Sequence, residues 1–551
     1  WQAYDTAKLS AGGMIFERAA KSLALTPQIK ALFGISQDRV SPIELMRAIL
    51  LSQVELLWFG GIGTYIKSSL ESHSDVGDKA NDILRINADE LRCGVIGEGA
   101  NLGVTQAARI EASMRGVKLN TDAIDNSAGV DCSDHEVNIK ILLADAEQRG
   151  DMTRKQRDQL LERMTDEVAT LVLRDNYLQT QAISLAERQA LSSFDQQVRF
   201  MTALEKTGQL DRAIEGLPDN DEIAARRERG DGLTRPELAV LLAYAKITLY
   251  QDILRSDLPD DPKLVEDLVT YFPTELRERY RDRIESHQLR REIIATSVTN
   301  SIVNRAGPTF IRRVMESSGM REDHIARAYI VARNAFGIRD LWRGIEALDT
   351  ELSADAQMEM LLTVKATMEQ LVGWFLNNAR HPLDIADVIA RFQPGVEALK
   401  DCLETALSAK GQQALARRRD KLVARGVPDS LSMACAQLPL IAAAPDLIRV
   451  SADQSAPISS VAMIYFGLGD RLGLNQLRAA AEGMRSETHW QRLATSAVVD
   501  DLFTQQSQLT AKVLPLLTGV DRAAADAAIE QWRDGRGAAM VRYENLLVEV
   551  H

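Results

Sequence analysis

The residues best suited to ligand chemistry in this chain lie in short loops that follow apolar runs. Asn101 ends the loop GEGAN, in which two glycines flank a glutamate, and Asn126 opens the loop NSAG. Glycines let a backbone turn sharply and allow a ligand to approach it closely. Gly60 and Gly61 form a third loop of this kind, and Ser133 lies seven residues after Asn126. These loops are the candidate binding residues of the chain.

Each loop follows a stretch with the pattern of a β-strand. The apolar runs at residues 54–59 and 95–96 and the β-like run at 119–124 predict three strands, and helices are predicted from Thr105 to Gly116 and from Ser133 to about Gln148. Short apolar runs of this kind are typical of buried parallel strands. In an open parallel sheet, ligands bind at the carboxyl ends of the strands. The three loops are therefore expected to line one crevice.

The sequence alone leaves each of the loop residues with two interpretations. Asn101 and Asn126 are compatible with ordinary turns, in which an asparagine adopts a left-handed backbone or bonds to its own main chain. Gly60 and Gly61 do not follow the GxGxxG spacing, so a tight turn or close packing explains them as well as a phosphate contact does.

The stretch from Ser133 to Glu136 reads SDHE, which is the pattern of a helix capping box. A helix N-terminus also favours a bound carboxylate, so a cap and a ligand contact are compatible at Ser133. Asp122, Asp125 and His135 lie nearby and suit acid–base catalysis by residue type. We assign them instead to turn, cap and first-turn positions.

Three strings in the first 140 residues carry a resemblance to a known family. They are LLWFGGIGTY, GEGAN and NTDAIDNSAGVDCSDHEVNIKILL. Together they resemble the large NAD-specific class of glutamate dehydrogenases, and a weaker similarity extends over the rest of the chain. The resemblance implies an α/β fold for residues 1–150, namely the second half of a doubly wound, Rossmann-like domain that binds NAD. It implies a large all-α region for residues 151–551.

The same resemblance implies a role for each candidate residue. By similarity to the family, the loop with Gly60 and Gly61 faces the dinucleotide, and Asn101 contacts its ribose or nicotinamide. Asn126 holds the nicotinamide amide, for which an asparagine offers both a donor and an acceptor. Ser133 hydrogen-bonds the side-chain carboxylate of the substrate.

The reaction implied by the resemblance is the oxidation of L-glutamate by NAD to 2-oxoglutarate, ammonia and NADH. In the family, the catalytic lysine and aspartate precede the region that this chain resembles, so no catalytic residue is assigned here. Since the chain begins at Trp1, we expect it to be a fragment. Turnover by residues 1–551 alone would contradict that expectation.

Two other functions are compatible with parts of the sequence. Leucine- and phenylalanine-type dehydrogenases share the architecture, but Ser133 argues against an apolar substrate, which would leave its hydroxyl unpaired. The helical residues taken alone also suit a non-catalytic module for oligomerisation or regulation. The family resemblance favours glutamate dehydrogenase with self-association, as a tetramer or hexamer.

Composition excludes several classes of partner and site. The 551 residues carry a formal charge of −13, which disfavours nucleic acids and anionic membranes. Four cysteines without CxxC spacing predict a reduced, cytoplasmic protein. The seven histidines form no HxH or HExxH motif, so the sequence supports no metal site.

Glycine content separates the two predicted regions. Of the 33 glycines, 14 lie in the first 150 residues, and long amphipathic helices are predicted after them. Within the helical region, residues 219–232 are charged and contain glycine, and residues 259–262 begin and end with proline. These two segments are the predicted linkers.

Overall fold

A computed structural model describes residues 3–17, 19–484 and 489–537 of the chain. The fold is mostly α-helical and divides into two compact units, Trp1–Phe310 and Ile311–His551. The predicted boundaries at residue 150, at 219–232 and at 259–262 all lie inside the first unit. They stay predictions about parts of that unit.

In the part of the first unit that the structure describes, six short strands form three two-stranded sheets. Strands β1 and β2 are antiparallel, whereas β3 pairs in parallel with β6 and β4 pairs in parallel with β5. Beyond Glu98, the described residues contain no strand. The strands are β1 Leu23–Ala24, β2 Arg39–Val40, β3 Leu56–Phe59, β4 Ile66–Lys67, β5 Ile86–Asn87 and β6 Val95–Glu98.

Strand β3 is covered on one face only. Leu57 and Phe59 are buried in an apolar cluster with β6 and the helix that follows it, while Leu56 and Trp58 point away and are exposed. Side chains of successive residues in a strand alternate between the two faces. The predicted strands at 54–59 and 95–96 are confirmed as β3 and β6, but one apolar face of β3 is exposed.

The described residues of the first unit contain fourteen α-helices, and the longest, α7, has 35 residues. They are α1 Pro27–Phe33, α2 Pro42–Leu50, α3 His73–Val76, α4 Gln106–Met114, α5 Asp122–Asp125, α6 Ser127–Gln148, α7 Arg154–Arg188, α8 Ala190–Lys206, α9 Asn220–Arg229, α10 Arg235–Arg255, α11 Val265–Tyr271, α12 Thr274–Arg279, α13 Arg281–Glu285 and α14 Arg290–Ala306.

The sequence predicts helix starts at Thr105 and at the capping-box patterns SPIE, TRKQ and TRPE, and all four are confirmed because each depends on bonds within one turn. Thr105 accepts a hydrogen bond from the Ala108 amide at 3.2 Å and so caps α4. The three patterns, which begin at Ser41, Thr153 and Thr234, form reciprocal capping boxes that start α2, α7 and α10. A cap satisfies amide groups that the helix itself cannot bond.

The predicted strand at residues 119–124 is wrong. A single bridge joins Lys118 to Val95, and the chain then turns into the short helix α5 after Thr121. Leu119 and Ile124 are buried, which produced the strand-like pattern. The intervening polar side chains bond to neighbouring segments, and these bonds favour a helical turn over an extended strand.

The predicted helix start at Ser133 is also wrong. Helix α6 begins at Ser127, so Ser133 lies inside it as the seventh residue, and the predicted capping box does not form. The sequence NSAG reads as a loop because it contains a glycine, yet Gly129 is helical here. In the predicted linker at 219–232, helix α9 is capped by Asp219 and ends at Gly230.

The second unit is built from helices alone within its described residues. Helix α16 is buried on nearly all sides, and it packs against α18 and α19. The helices are α15 Phe310–Ser318, α16 Glu322–Ala335, α17 Ile338–Glu346, α18 Ala354–Asn378, α19 Ile385–Ala406, α20 Ala409–Val423, α21 Asp429–Ile441, α22 Ala444–Gln454, α23 Ile458–Arg471, α24 Leu474–Gly483, α25 His489–Val513 and α26 Arg522–Asp534.

In the described part of the chain, no single helix has both the length and the apolar composition needed to cross a membrane. The bent pair of α21 and α22, with an angle of 62° between the two helices, passes the same test by length and composition only.

Candidate functional site

The loops after β3 and β6 begin side by side at one edge of the parallel pair. Phe59 lies opposite Glu98 in the register of the two strands. The Ala100 amide then donates a hydrogen bond to the Phe59 carbonyl at 3.0 Å, which ties the second loop to the end of β3. The carboxyl ends of the two parallel strands therefore share one edge, which is where the sequence predicts the ligand crevice.

The glycines near the ends of β3 and β6 differ in whether packing within the chain requires a glycine there. At Gly97 and Gly99, a β-carbon would lie within 2.5 Å of the Trp58 indole, so these two glycines make room for that ring. At Gly61 a β-carbon would meet open space, and at Gly60 only an ordinary contact with Trp58. Packing within the chain therefore explains Gly97 and Gly99 but not the predicted cofactor residues Gly60 and Gly61, whose role stays a prediction.

The structure brings the two predicted cofactor asparagines into direct contact. The Asn126 Nδ2 atom donates a hydrogen bond to Asn101 Oδ1 at 2.9 Å. Within the described residues, no other side-chain hydrogen bond uses Asn101 Nδ2 or Asn126 Oδ1. The bonded pair therefore leaves the Asn101 Nδ2 donor and the Asn126 Oδ1 acceptor without a side-chain partner, and a carboxamide needs one group of each kind.

A buried ion triad holds the loop that carries Asn101. The Glu98 carboxylate, 1% exposed, accepts two hydrogen bonds from Arg109, at 2.7 and 2.9 Å. Arg109 also lies 3.2 Å from Asp122, and the amides of Leu102 and Val104 donate to Asp122 and Glu98. Burial by itself disfavours these charges, but the two carboxylates more than offset it for Arg109, whose pKa is raised.

Asp125 joins the segment that carries Asn126 to the end of strand β6. One of its carboxylate oxygens accepts a bond from the Glu98 amide at 3.0 Å, and the other accepts one from the Asn120 side chain at 2.9 Å. Asp122 and Asp125 are the first and last residues of α5. Both carboxylates accept hydrogen bonds from the donors of neighbouring segments, as expected for residues in turn and cap positions. His135, assigned to a first turn, is instead buried in the middle of α6.

Two later helices anchor the segment that carries Asn126. The Asn176 side chain of α7 donates to the Ile124 carbonyl at 2.8 Å and to the Ser127 hydroxyl at 2.9 Å. Arg235, at the start of α10, donates two hydrogen bonds to Asn120 Oδ1. Sequence reasoning missed both anchors, because a lone Asn within a helix and an Arg within a capping box carry no signal of a distant partner.

Arg235→Met is expected to loosen the segment from Asn120 to Ser127. It leaves Asn120 Oδ1 without its donor, at a cost of about 1–3 kcal/mol in the free energy of local opening. Hydrogen exchange of the amides in this segment measures the effect. Arg255→Met, at the other end of the same helix and largely exposed, is the matched control and should leave that exchange unchanged. Equal exchange in the two variants would contradict the anchoring role.

Ser133 lies on the exposed side of α6, two helical turns beyond Asn126. Seven residues of helix bring a side chain back to nearly the same face, roughly 10 Å further along the axis. Val130 and Val137 flank Ser133 on this face and are 69% and 52% exposed. Its hydroxyl lies 3.5 Å from the Gly129 carbonyl, a contact too long to fix its direction. Ser133 is therefore available to a ligand.

The opposite side of α6 carries a second polar cluster, which the spacing of histidines did not predict. Asp131 and His135 of α6 and Asp175 of α7 place ligand-capable atoms within 4.8 Å of one another. Burial, with the charges of Asp175 and Asp134, raises the pKa of Asp131 to about 7. Burial lowers the pKa of His135 to about 4, so its imidazole is neutral near pH 7.

Comparison with known proteins finds matches along nearly all of the chain. Residues 1–186 match the family described as "Bacterial NAD-glutamate dehydrogenase, catalytic domain", and residues 230–551 match "Glutamate dehydrogenase, C-terminal". Relatives include proteins named NAD-specific glutamate dehydrogenase from Halomonas elongata and Pseudomonas aeruginosa, each 44% identical, and from Mycobacterium tuberculosis, 37% identical. The matches cover 100% of this chain and 34% of each relative, so the chain spans about a third of their length.

Proposed function

The chain belongs to the NAD-specific glutamate dehydrogenase family, and from that premise we propose that it forms the cofactor and substrate-carboxylate side of such an enzyme. The enzyme oxidises L-glutamate to 2-oxoglutarate and ammonia and passes a hydride to NAD. Residues outside this chain supply the catalytic base. The residues described above orient the nicotinamide and hold the far end of the substrate.

The parallel pair of β3 and β6 is the part of a doubly wound, Rossmann-like sheet that lies in this chain. The loops at its carboxyl edge and the open face of β3 support this proposal, since both faces of a parallel sheet are normally covered. Further strands and helices of the sheet would then cover Leu56 and Trp58. Helices α7 and α10 hold the Asn126 segment from the other side, through Asn176 and Arg235.

The observation that carries the proposal is the bond between Asn101 and Asn126. The nicotinamide carboxamide needs an acceptor for its NH2 group and a donor for its carbonyl. Asn126 Oδ1 and Asn101 Nδ2 are free to supply them, and the bond between the two side chains fixes their spacing. NAD is therefore the proposed cofactor, with Gly60 and Gly61 beside its phosphates or ribose.

Ser133 is the proposed contact for the side-chain carboxylate of glutamate. Its hydroxyl lies on the same face of α6 as Asn126. The exposed apolar side chains of Val130 and Val137 lie one helical turn to either side of it and could contact the methylene groups of the substrate. A substrate with an apolar end, such as leucine, would leave the hydroxyl without a partner. The proposal therefore favours glutamate over the apolar amino acids.

The asparagine pair is testable by a double-mutant cycle in the complete polypeptide that contains this chain. Asn126→Ala and Asn101→Ala are each expected to raise KM for NAD by roughly fivefold to a hundredfold, since each leaves a carboxamide group unpaired at about 1–3 kcal/mol. The double variant should lose less than the sum of the two, because the residues act as one bonded unit. Steady-state kinetics with varied NAD measures all three variants.

Cys132→Ser is the matched control for this cycle. Cys132 is exposed on α6 between the two proposed contacts, but it points to a different side of the helix. Its replacement should leave KM for NAD unchanged. If the free-energy changes of the two alanine variants simply add in the double variant, the two asparagines do not share one carboxamide site. If KM for NAD is unchanged in both single variants, the cofactor assignment is wrong.

Self-association as a tetramer or hexamer and a reduced, cytoplasmic location are part of the same proposal. Four free cysteines, two of them buried, are compatible with a reducing compartment. The amphipathic helices of the second unit are the proposed contacts between subunits. Sedimentation velocity of the whole chain tests this, and a monomer at micromolar concentration would contradict it.

A further inference from the structure

The cluster on the buried side of α6 has the composition of a metal site. Asp131 and His135 are four residues apart and share one face of the helix, and Asp175 comes from the adjoining helix α7. Two ligands of one Zn²⁺ ion, each about 2.0–2.2 Å from the metal, lie roughly 3–4 Å apart. Ligand atoms within 4.8 Å of one another reach that spacing with side-chain movements of less than about 1 Å.

The groups of this cluster lack the partners that buried polar atoms normally have. His135 is 2% exposed, and its Nδ1 atom has no hydrogen-bond partner within the described residues. One carboxylate oxygen of Asp131 is likewise buried and unpartnered. The ring of His135 stacks on Tyr271 with 4.3 Å between centroids, which holds the imidazole in place without satisfying its nitrogens. Buried polar atoms left unpaired in this way call for an explanation.

A partly buried lysine beside the cluster opposes the binding of a cation. Lys246 of α10 lies close enough to interact with both carboxylates, yet among the described residues it forms no direct ion pair with either. When both carboxylates are ionised, as metal binding requires, a charged Lys246 still leaves the cluster at a net charge of −1. Asp134 adds a further negative charge nearby.

We propose that Asp131, His135 and Asp175 form a binding site for a divalent transition-metal ion of the Zn²⁺ or Mn²⁺ class, which joins helix α6 to helix α7. Two carboxylates and one neutral imidazole suit these ions better than Ca²⁺ or Cu⁺. Three protein ligands leave further positions for water. The ion would brace α6 a little more than one turn from its first residue. The inference rests on the cluster alone and does not depend on the proposed dehydrogenase function.

Metal binding is tested with the tag-free 551-residue chain after removal of metals with EDTA. Zn²⁺ competition against a chromophoric chelator gives the affinity, and the absorption spectrum of the Co²⁺-loaded chain reports an ordered oxygen and nitrogen ligand set. We expect one ion per chain. His135→Gln and Asp175→Asn are each expected to weaken Zn²⁺ binding at least tenfold, since even loss of a residue that supports a ligand costs about 10–100-fold.

Lys246→Met distinguishes a metal site from an ion network in which Lys246 itself neutralises the carboxylates. The variant keeps all three proposed ligands and removes the ammonium group that competes with a metal ion. A metal site predicts tighter Zn²⁺ binding in this variant, by about tenfold, whereas a network that needs Lys246 as counter-ion predicts a less stable chain with no gain in affinity. Lys246→Met also keeps the test decisive if His135→Gln or Asp175→Asn fails to fold.

Two further variants control for binding elsewhere. Cys132→Ser removes the nearest exposed thiol, and His73→Gln removes a histidine that lies 3.8 Å from the Asp82 carboxylate at the surface. Both should bind Zn²⁺ like the unaltered chain. Less than half an ion per chain, or loss of the ion in either control with retention in His135→Gln, would overturn the proposal.

Discussion

Replacing Arg109 by methionine is expected to lower the free energy of unfolding around β6 and α4 by about 3–5 kcal/mol, because it leaves Glu98 as a buried carboxylate with no cation. Glu98 is almost wholly buried and receives two of its three hydrogen bonds from Arg109. Asp122 loses its cation in the same variant. Hydrogen exchange of the amides in β6 and α4 measures the change without interference from the second unit.

Arg115→Met is the matched control for Arg109→Met, since both arginines belong to helix α4 or its cap. Arg115 is exposed and lies 3.9 Å from Glu111, so its loss should cost less than about 1 kcal/mol. The double variant Glu98→Gln with Arg109→Met removes both charges and should recover part of the lost stability. An Arg109 variant as stable as the Arg115 variant would show that the triad does not hold the crevice.

Ser133→Ala in the complete polypeptide is expected to raise KM for glutamate about tenfold to a hundredfold, with kcat little changed. The substitution removes one hydrogen-bond donor to a charged carboxylate, which costs roughly 1.5–3 kcal/mol. An interaction made equally in the ground and transition states changes KM alone. Steady-state kinetics with varied glutamate, at saturating NAD, measures both constants.

The position of Ser133 within α6 makes this test direct. A helix cap lost to alanine would lower stability by about 1 kcal/mol, but Ser133 lies inside the helix, where alanine has the higher propensity. The melting temperature of the variant should therefore stay unchanged or rise slightly. Cys132→Ser, one residue earlier and also exposed, should leave KM for glutamate unaltered. A normal KM in Ser133→Ala would make the substrate assignment wrong.

Sequence motifs alone identify the family and the candidate binding residues, Asn101 and Asn126. The strings GEGAN and NSAGV pointed to Asn101 and Asn126 as separate cofactor contacts, and in the structure the two side chains form a hydrogen bond of 2.9 Å. Their contact follows from bonds that no local pattern shows. Asp122 and Asp125 bond to the loop and strand end twenty or more residues earlier, and Asn176 and Arg235 come from helices about 50 and 115 residues away.

The sequence by itself determined the features that depend on bonds between near neighbours. Thr105 caps α4 and Ser41 caps α2, because the bonds involved span three residues and need no other part of the chain. The sequence also predicts the strand at β3, but its apolar run predicts burial on both faces, whereas Leu56 and Trp58 are exposed.

Only the tertiary structure decided where a polar segment becomes a helix and which polar groups meet. Residues 119–124 were predicted as a strand, but side-chain bonds to distant partners stabilise a helical turn there. Asp131 and Asp175 lie 44 residues apart in the chain and meet only because α6 packs against α7. Propensity differences of a few tenths of a kcal/mol per residue are smaller than the cost of leaving one buried polar group unpaired, so distant partners decide such segments.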